Sequence, residues 1–183
     1  MPGFSLCVYC GSNEGTQPSY KTAAQELGTA IGAHGWRLVY GAGNAGLMGQ
    51  VARAAITAGA ETFGAIPEHL LDSEMAKTDL TSLVITETMH ERKKIMMMNS
   101  DAIILLPGGV GSLDEFFEAL TWAQLGLHEK PIILLDIDGY WSSLIAMLYH
   151  MIEHGFANAS LMMLFTVAGT VEDAISILEP SAP

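Results

Sequence analysis

The stretch Ala102-Ile-Ile-Leu-Leu-Pro-Gly-Gly-Val-Gly-Ser-Leu-Asp-Glu115 constrains the fold more than any other part of the chain. Ala102 to Leu106 is a short, unbroken apolar run, which fits a strand covered on both faces. Pro107 cannot continue a hydrogen-bonded ladder and is expected to end it. Gly108, Gly109 and Gly111 are expected to let the backbone turn tightly and to leave room for a ligand. Ser112 is expected to cap the helix that follows. Free N–H groups and the positive end of that helix would then face the open end of a sheet, where an anion such as phosphate binds. Glu115, three residues past the expected cap, would lie beside whatever the loop holds.

A strand covered on both faces needs helices on both sides, and the rest of the chain supplies them. Strands are expected at Phe4 to Tyr9, Arg37 to Tyr40, Glu61 to Ile66, Leu83 to Thr86, Ala102 to Leu106, Ile132 to Leu135 and Phe165 to Ala168. Helices are expected from Ser19 to His34, from the Gly41–Gly49 loop to about Ala58, from Thr88 to about Ser100, after Ser112 to Leu125, from Tyr140 to His154, and from Val171 to Leu178 with Thr170 as cap. Gly35 and Gly126 close two of them. Glu68 to Ser82 is polar and aperiodic, a loop over the open edge of the sheet. This alternation predicts an α/β, Rossmann-like, doubly wound parallel sheet with helices on both faces. Its ligand would sit at the carboxyl ends of the strands. No linker, repeat or low-complexity segment divides the 183 residues, so residues 1–183 read as one domain.

The net charge is −12, with only eight Lys plus Arg. That balance argues against a nucleic-acid backbone or an anionic membrane as partner. It also singles out Arg92, Lys93 and Lys94, three of the eight cations in a row. They follow Thr88, which with Glu91 fits a capping box, so this helix also opens toward the ligand edge. Arg92 offers a planar charged fork suited to phosphate or a polarised base. The competing reading is an exposed basic face. Half of the residues are apolar, so part of the surface is expected to be covered by a second subunit. Met96 to Met98, Trp122, Leu125 and Leu127 are candidates for core or interface. With no leader and no apolar run of about 20 residues, the chain reads as soluble and cytoplasmic.

Several motifs are weaker. Gly41-x-Gly43-x-x-Gly46 matches a dinucleotide fingerprint, but it follows the second strand rather than the first. No acid sits well about 20 residues on: Glu61 opens a strand and Glu68 lies beyond Pro67. The loop can equally be a plain tight turn or one wall of a single nucleotide pocket. Cys7 and Cys10 have a C-x-x-C spacing, yet they lie on or beside a strand and face opposite ways, which disfavours a redox pair. His90 is a lone candidate base. Ser112-x-x-Glu115 is itself a capping-box pattern, so Glu115 has a purely structural reading as well as a chemical one. The sequence shows no nucleophile elbow, no Walker lysine and no metal-ligand cluster.

Pro107-Gly-Gly-Val-Gly-Ser-Leu-Asp-Glu115 resembles the P-G-G-x-G-T-x-x-E motif of the LONELY GUY (LOG) family of cytokinin riboside 5′-monophosphate phosphoribohydrolases, long labelled possible lysine decarboxylases. Met89-His-Glu-Arg-Lys93 is similar to the family's M-H-x-R-K segment. Gly41-Ala-Gly-Asn-Ala-Gly-Leu-Met-Gly49 is similar to its G-G-G-x-x-G-L-M-G loop. Cys7-Val-Tyr-Cys-Gly-Ser12 and Thr121-Trp-Ala-Gln-Leu-Gly126 also fit, so the likeness runs from about residue 4 to 178. Ala42, Ser112 and Asp114 depart from the pattern, where the family has Gly, Thr and Glu.

The resemblance implies hydrolysis of the N-glycosidic bond of a purine nucleoside 5′-monophosphate to free base and ribose 5-phosphate. It implies a homodimer acting on a small nucleotide, AMP or a cytokinin nucleotide, with no cofactor and no metal. Arg92 and Glu115 match the catalytic positions. Substrate contacts are expected from Glu74, Met89, Arg92, Lys93, Gly108, Gly109, Val110, Gly111, Ser112, Leu113, Asp114, Glu115 and Thr121, and from Gly11, Ser12, Gly43 and Asn44 on the neighbouring loops. The competing reading is a non-catalytic nucleotide or cofactor carrier of the same fold. A pyridoxal decarboxylase is disfavoured, because neither Lys93 nor Lys94 is marked out as a Schiff-base lysine.

Overall fold

The computed structural model describes residues 3–73, 76, 77 and 79–182. The strands are β1 (Ser5–Tyr9), β2 (Arg37–Tyr40), β3 (Thr62–Pro67), β4 (Ser82–Thr86), β5 (Ala102–Leu105), β6 (Ile132–Leu135) and β7 (Thr166–Ala168). The helices are α1 (Pro18–Ala33), α2 (Gly46–Thr57), α3 (Met89–Met98), α4 (Val110–Gln124), α5 (Ser142–Glu153) and α6 (Val171–Leu178). The strands form one sheet in the order β4-β3-β2-β1-β5-β6-β7, and every pairing is parallel. This is the Rossmann-like, doubly wound sheet expected from the alternation.

Strand alternation sends neighbouring residues to opposite layers. Leu6, Val8, Leu38, Tyr40, Ile104 and Ile133 pack with α1, α2 and α6. Cys7, Tyr9, Val39, Ile103, Leu105 and Ile132 pack with α3, α4 and α5. Cys7 and Cys10 therefore belong to different layers and form no disulfide. Burial pushes the Cys7 thiol up, with the nearby Glu115 adding to it, so this thiol stays protonated.

The chain builds outward from β1 through β2 and β3 to β4, then returns over the other face through α3 to place β5 beside β1. That reversal is the topological switch point, and it brings the loops after Tyr9 and Leu105 side by side. No helix among the described residues is long and apolar enough to cross a membrane.

Several boundaries differ from the sequence reading. Pro67 does not end β3 early; it is the last residue of the strand, in register with Thr86. The helix expected from Tyr140 starts at Ser142 instead. Asp136 stops it, its Oδ1 accepting from the Trp141 N–H at 2.5 Å, and a short 3-10 turn fills Ile137–Gly139. The larger correction concerns α4. Its N-cap is Gly109 and its first residue is Val110, so Ser112 lies inside the helix and is not the cap. Gly109 is extended, with φ −100° and ψ −154°, and the chain turns into α4 at the next residue. Glu115 is therefore not the N3 residue of a capping box.

Candidate active site

Three loops meet at the switch point and are tied to one another through backbone. Leu106 N–H donates to Tyr9 O at 2.9 Å, Gly11 N–H to Pro107 O at 3.0 Å, and Leu47 N–H to Gly11 O at 3.1 Å. The Tyr140 hydroxyl donates to Gly108 O at 2.6 Å and braces the β5 loop from outside. Two cavities flank this knot, of about 200 and 220 Å³. Gly11, Ser12 and Gly109 border both.

The first cavity gathers the chemistry. Its floor is the end of β1, its near wall the start of α4, and its far wall one face of α3. Ser112 and Glu115, three apart, share one side of α4, while Met89, Arg92 and Met96 share one side of α3. At the mouth of α4 the first helical hydrogen bond runs from Leu113 N–H to Gly109 O at 3.1 Å. The N–H groups of Val110, Gly111 and Ser112 thus have no acceptor within the helix, and all three residues line the cavity. Partial positive charge from the helix end is focused there.

Arg92 is buried, and its guanidinium is held by main chain. Nε donates to Ala65 O at 3.1 Å and Nη2 to Gly41 O at 2.8 Å. A Cβ on Gly41 would lie 2.1 Å from Nη2, so glycine at 41 is the space in which the guanidinium sits. The exposed-basic-face reading of the 92–94 cluster therefore fails for Arg92. It fails for Lys93 too, but for another reason. Lys93 Nζ is paired with Asp114 at 3.0 Å and Glu118 at 2.9 Å, and its side chain is only 5% exposed. Burial lowers its pKa, but the hydrogen bonds and charges of Glu118 and Asp114 outweigh this and hold the ammonium above its ordinary value. Lys93 follows Arg92 and Asp114 precedes Glu115, so this pair fixes the distance between the two cavity walls. Of the three, Lys94 alone is exposed.

Beneath Glu115, Tyr9 lines the cavity floor and is 2% exposed. Burial, then Cys7 and Glu115, push its phenol well above the usual range, so it remains a neutral hydroxyl. Sequence reading did not single out Tyr9, Met96 or Met48 as cavity residues; Tyr9 was legible only as part of an apolar strand.

Of the residues expected to contact substrate, the structure brings Gly11, Ser12, Met89, Arg92, Gly109, Val110, Gly111, Ser112 and Glu115 to one cavity. Gly108 faces the second. Leu113, Asp114, Lys93 and Thr121 do not line either one; Thr121 is exposed, about 9 Å further along α4 than Glu115. Gly43 and Asn44 are also outside the lining. Asn44 Oδ1 accepts from Arg53 at 2.9 Å, which turns it away. The Gly41–Gly49 loop is thus one wall of a shared cavity, contributing Gly41 and Met48. Glu74 lies outside the described residues. His90 is exposed on α3 and does not border the cavity.

One cluster went unread in the sequence. His150, Glu153 and His154 on α5 bring their ligand atoms within 4.8 Å of one another, in an H-x-x-E-H spacing that was legible. None of the three lines either cavity.

Comparison with known proteins fits this geometry. The model of a family described as "Possible lysine decarboxylase" matches residues 48–178. Cytokinin riboside 5′-monophosphate phosphoribohydrolase LOG1 of Arabidopsis thaliana is 39% identical over 97% of this chain and 84% of its own length. LOG3 of the same plant is 40% identical over 97% of this chain and 83% of its own. Among solved structures, the molybdenum cofactor binding protein of the phototrophic bacterium Rippkaea orientalis superposes with a TM-score of 0.75 at 25% identity, covering 99% of this chain and 98% of that one. The molybdenum cofactor carrier protein of Chlamydomonas reinhardtii, with a TM-score of 0.73 and 23% identity over 97% and 96% of the two chains, shares the fold. With its motifs, its switch-point cavity and two-fifths of its residues in common with them, the chain belongs to the family of the cytokinin riboside 5′-monophosphate phosphoribohydrolases.

Proposed function

We propose that this protein hydrolyses the N-glycosidic bond of purine riboside 5′-monophosphates, releasing the free base and ribose 5-phosphate. The observation that carries the reading is the juxtaposition of Glu115 with the open N-terminus of α4 on one side of a cavity and Arg92 on the other. The α4 N–H groups of residues 110–112 take the 5′-phosphate, with Ser112 adding a hydroxyl. Holding the phosphate places the ribose along the α4 face that carries Glu115. As the C1′–N bond breaks, its electron pair leaves with the base and positive charge grows on the ribose. The Glu115 carboxylate stabilises that charge and takes a proton from the water whose oxygen bonds to C1′. Arg92, clamped at Ala65 and Gly41, offsets negative charge on the departing base.

A pyridoxal-dependent decarboxylase needs a lysine able to lose its proton and form a Schiff base. Lys93 is tied to two carboxylates with its pKa raised, the opposite of that requirement. The carrier reading draws on the fold of the cofactor-binding neighbours, whereas the relatives at 39–40% identity favour hydrolysis. The protein acts as a homodimer in the cytoplasm. In support of a partner, Met98, Leu125 and Leu127 are 70%, 67% and 66% exposed near the ends of α3 and α4. Met96 and Met97, by contrast, are core.

The test is incubation with AMP, with an N6-prenylated AMP and with adenosine, followed by chromatography for free base. Base is expected from the nucleotides and almost none from the nucleoside, because phosphate binding positions the sugar. Glu115→Gln is expected to lower kcat at least about a thousandfold while nucleotide still binds. Tight nucleotide binding by the unaltered protein without any base release would establish the carrier instead.

A further inference from the structure

The last turn of α5 carries a second polar constellation. His150 and His154 are four apart and Glu153 is three from His150, so all three side chains rise from one side of the helix end. Their rings and carboxylate are exposed, with the two imidazole centroids 4.0 Å apart. His154 Nδ1 lies 3.0 Å from the backbone carbonyl of His150. A carbonyl only accepts, so the tautomer that makes this bond carries its proton on Nδ1 and leaves Nε2 as the nitrogen able to bind a metal. A backbone carbonyl orienting one imidazole nitrogen is the usual support for a metal-binding histidine. The surroundings favour a cation. Residues 131–183 contain six Asp and Glu and no Lys or Arg. The helix also ends here, and its last carbonyls add partial negative charge.

We propose that His150, Glu153 and His154 form a surface binding site for a borderline divalent transition ion, of the Zn²⁺, Ni²⁺ or Cu²⁺ class. Two imidazole nitrogens and one carboxylate oxygen select such ions over Mg²⁺ and Ca²⁺, which prefer all-oxygen shells. Three protein ligands leave a coordination position for water. The three residues lie about 12 to 18 Å along α5 from its first residue and none lines the cavity, so the site is separate from nucleotide hydrolysis.

Titration calorimetry of the full-length protein with ZnCl₂ tests this. One Zn²⁺ per chain is expected, with His150→Ala and His154→Ala each weakening binding more than tenfold and Glu153→Gln weakening it several-fold. Because all three side chains are exposed, the variants are expected to keep the wild-type melting temperature and the wild-type rate on AMP. Absence of saturable zinc binding would overturn the site. So would binding that survives the His150→Ala/His154→Ala double variant, which would place the ion on other groups. Affinity unchanged in Glu153→Gln would remove the carboxylate from the ligand set and with it this assignment.

Discussion

The loops after β2 and β5 look alike as sequence, each a run of glycines between a strand and a helix, and Gly108 is packed like its β2 counterparts, a Cβ there lying 2.1 Å from Ser112 Oγ, but Gly109 and Gly111 differ. In the β2 loop the missing side chains are missing for the protein's own sake. A Cβ at Gly41 would strike the Arg92 guanidinium, and one at Gly46 would lie 2.2 Å from the Ser12 carbonyl carbon. In the β5 loop a Cβ at Gly109 or Gly111 would meet no atom of the protein within 4 Å. Neither has the left-handed backbone that favours glycine; Gly109 has φ −100°. Nothing in the folded chain requires glycine at these two positions, which leaves the space beside them open, as the proposed phosphate site needs.

The largest effect that tests this contrast is at Gly46. Its φ is +56°, and the clash at Cβ is with the backbone of Ser12 and Asn13. Gly46→Ala is expected to destabilise the protein by at least about 3 kcal/mol, from the left-handed conformation plus overpacking. Chemical denaturation reads this directly; a loss below about 1 kcal/mol would mean that the β2 loop is not packed as described.

The β5 loop is pinned as far as Gly108, but Gly109 and Gly111 pack against nothing, so their position depends on α4, and α4 is tied to α3 through Lys93. Lys93→Met is expected to cost about 2 kcal/mol, less than for a wholly buried pair because Asp114 is half exposed. It should also lower kcat more than it raises KM, since Arg92 and Glu115 lose their fixed separation. The pH dependence has a definite sign. Lys93 has a folded pKa above its unfolded value of about 10.4, so its contribution is complete below that pH and fades as pH rises through the folded value. The stability gap between wild type and variant should thus be constant from pH 6 to 9 and narrow above about 10.5. A gap that does not narrow above about 10.5 would show that the clamp is not the ammonium pairing described.

At Gly111 stability and function should move in opposite directions. Gly111→Ala replaces glycine in the first turn of α4 with no clash, so the fold is expected to gain up to about 1 kcal/mol. The same methyl would stand at the phosphate end of the cavity and raise KM for AMP by roughly tenfold, about 1.4 kcal/mol of binding. Loss of stability would erase the distinction between the loops; an unchanged KM would move the phosphate elsewhere.

The parallel sheet was legible because its central strands are apolar on both faces and end in glycine or proline, and β2, β6 and α6 fall on the boundaries the sequence suggested. Caps were legible where hydroxyl and acid flank a helix start without a run of glycines. Thr88 and Glu91 form the reciprocal pair, and Thr170 accepts from Asp173 N–H at 3.1 Å. Ser112 and Glu115 show the same spacing but lie inside α4, because the pattern cannot tell a cap from the third helical residue when glycines precede it. Nor could adjacency reveal that Arg92 and Lys93, about 100° apart around α3, serve the cavity and the α4 clamp respectively. That depends on which strand ends lie beneath each side chain, a tertiary fact.

The smallest expected effect is at Ala42, where the β2 loop breaks its own rule. Ala42 is buried, with φ +59°, a conformation in which a side chain is strained by about 1–2 kcal/mol. Ala42→Gly relieves that strain. It also removes a buried methyl worth about 0.8 kcal/mol and gives the unfolded chain about 0.4–1 kcal/mol of extra freedom. The terms nearly cancel, so stability should stay within about 0.5 kcal/mol of wild type. The methyl packs toward Gly64, whose own Cβ would come within 2.7 Å of it. A loss above about 2 kcal/mol would mean that this contact sets the spacing of β2 and β3. The β2 loop would then be held by the one side chain among its glycines as much as by the glycines themselves.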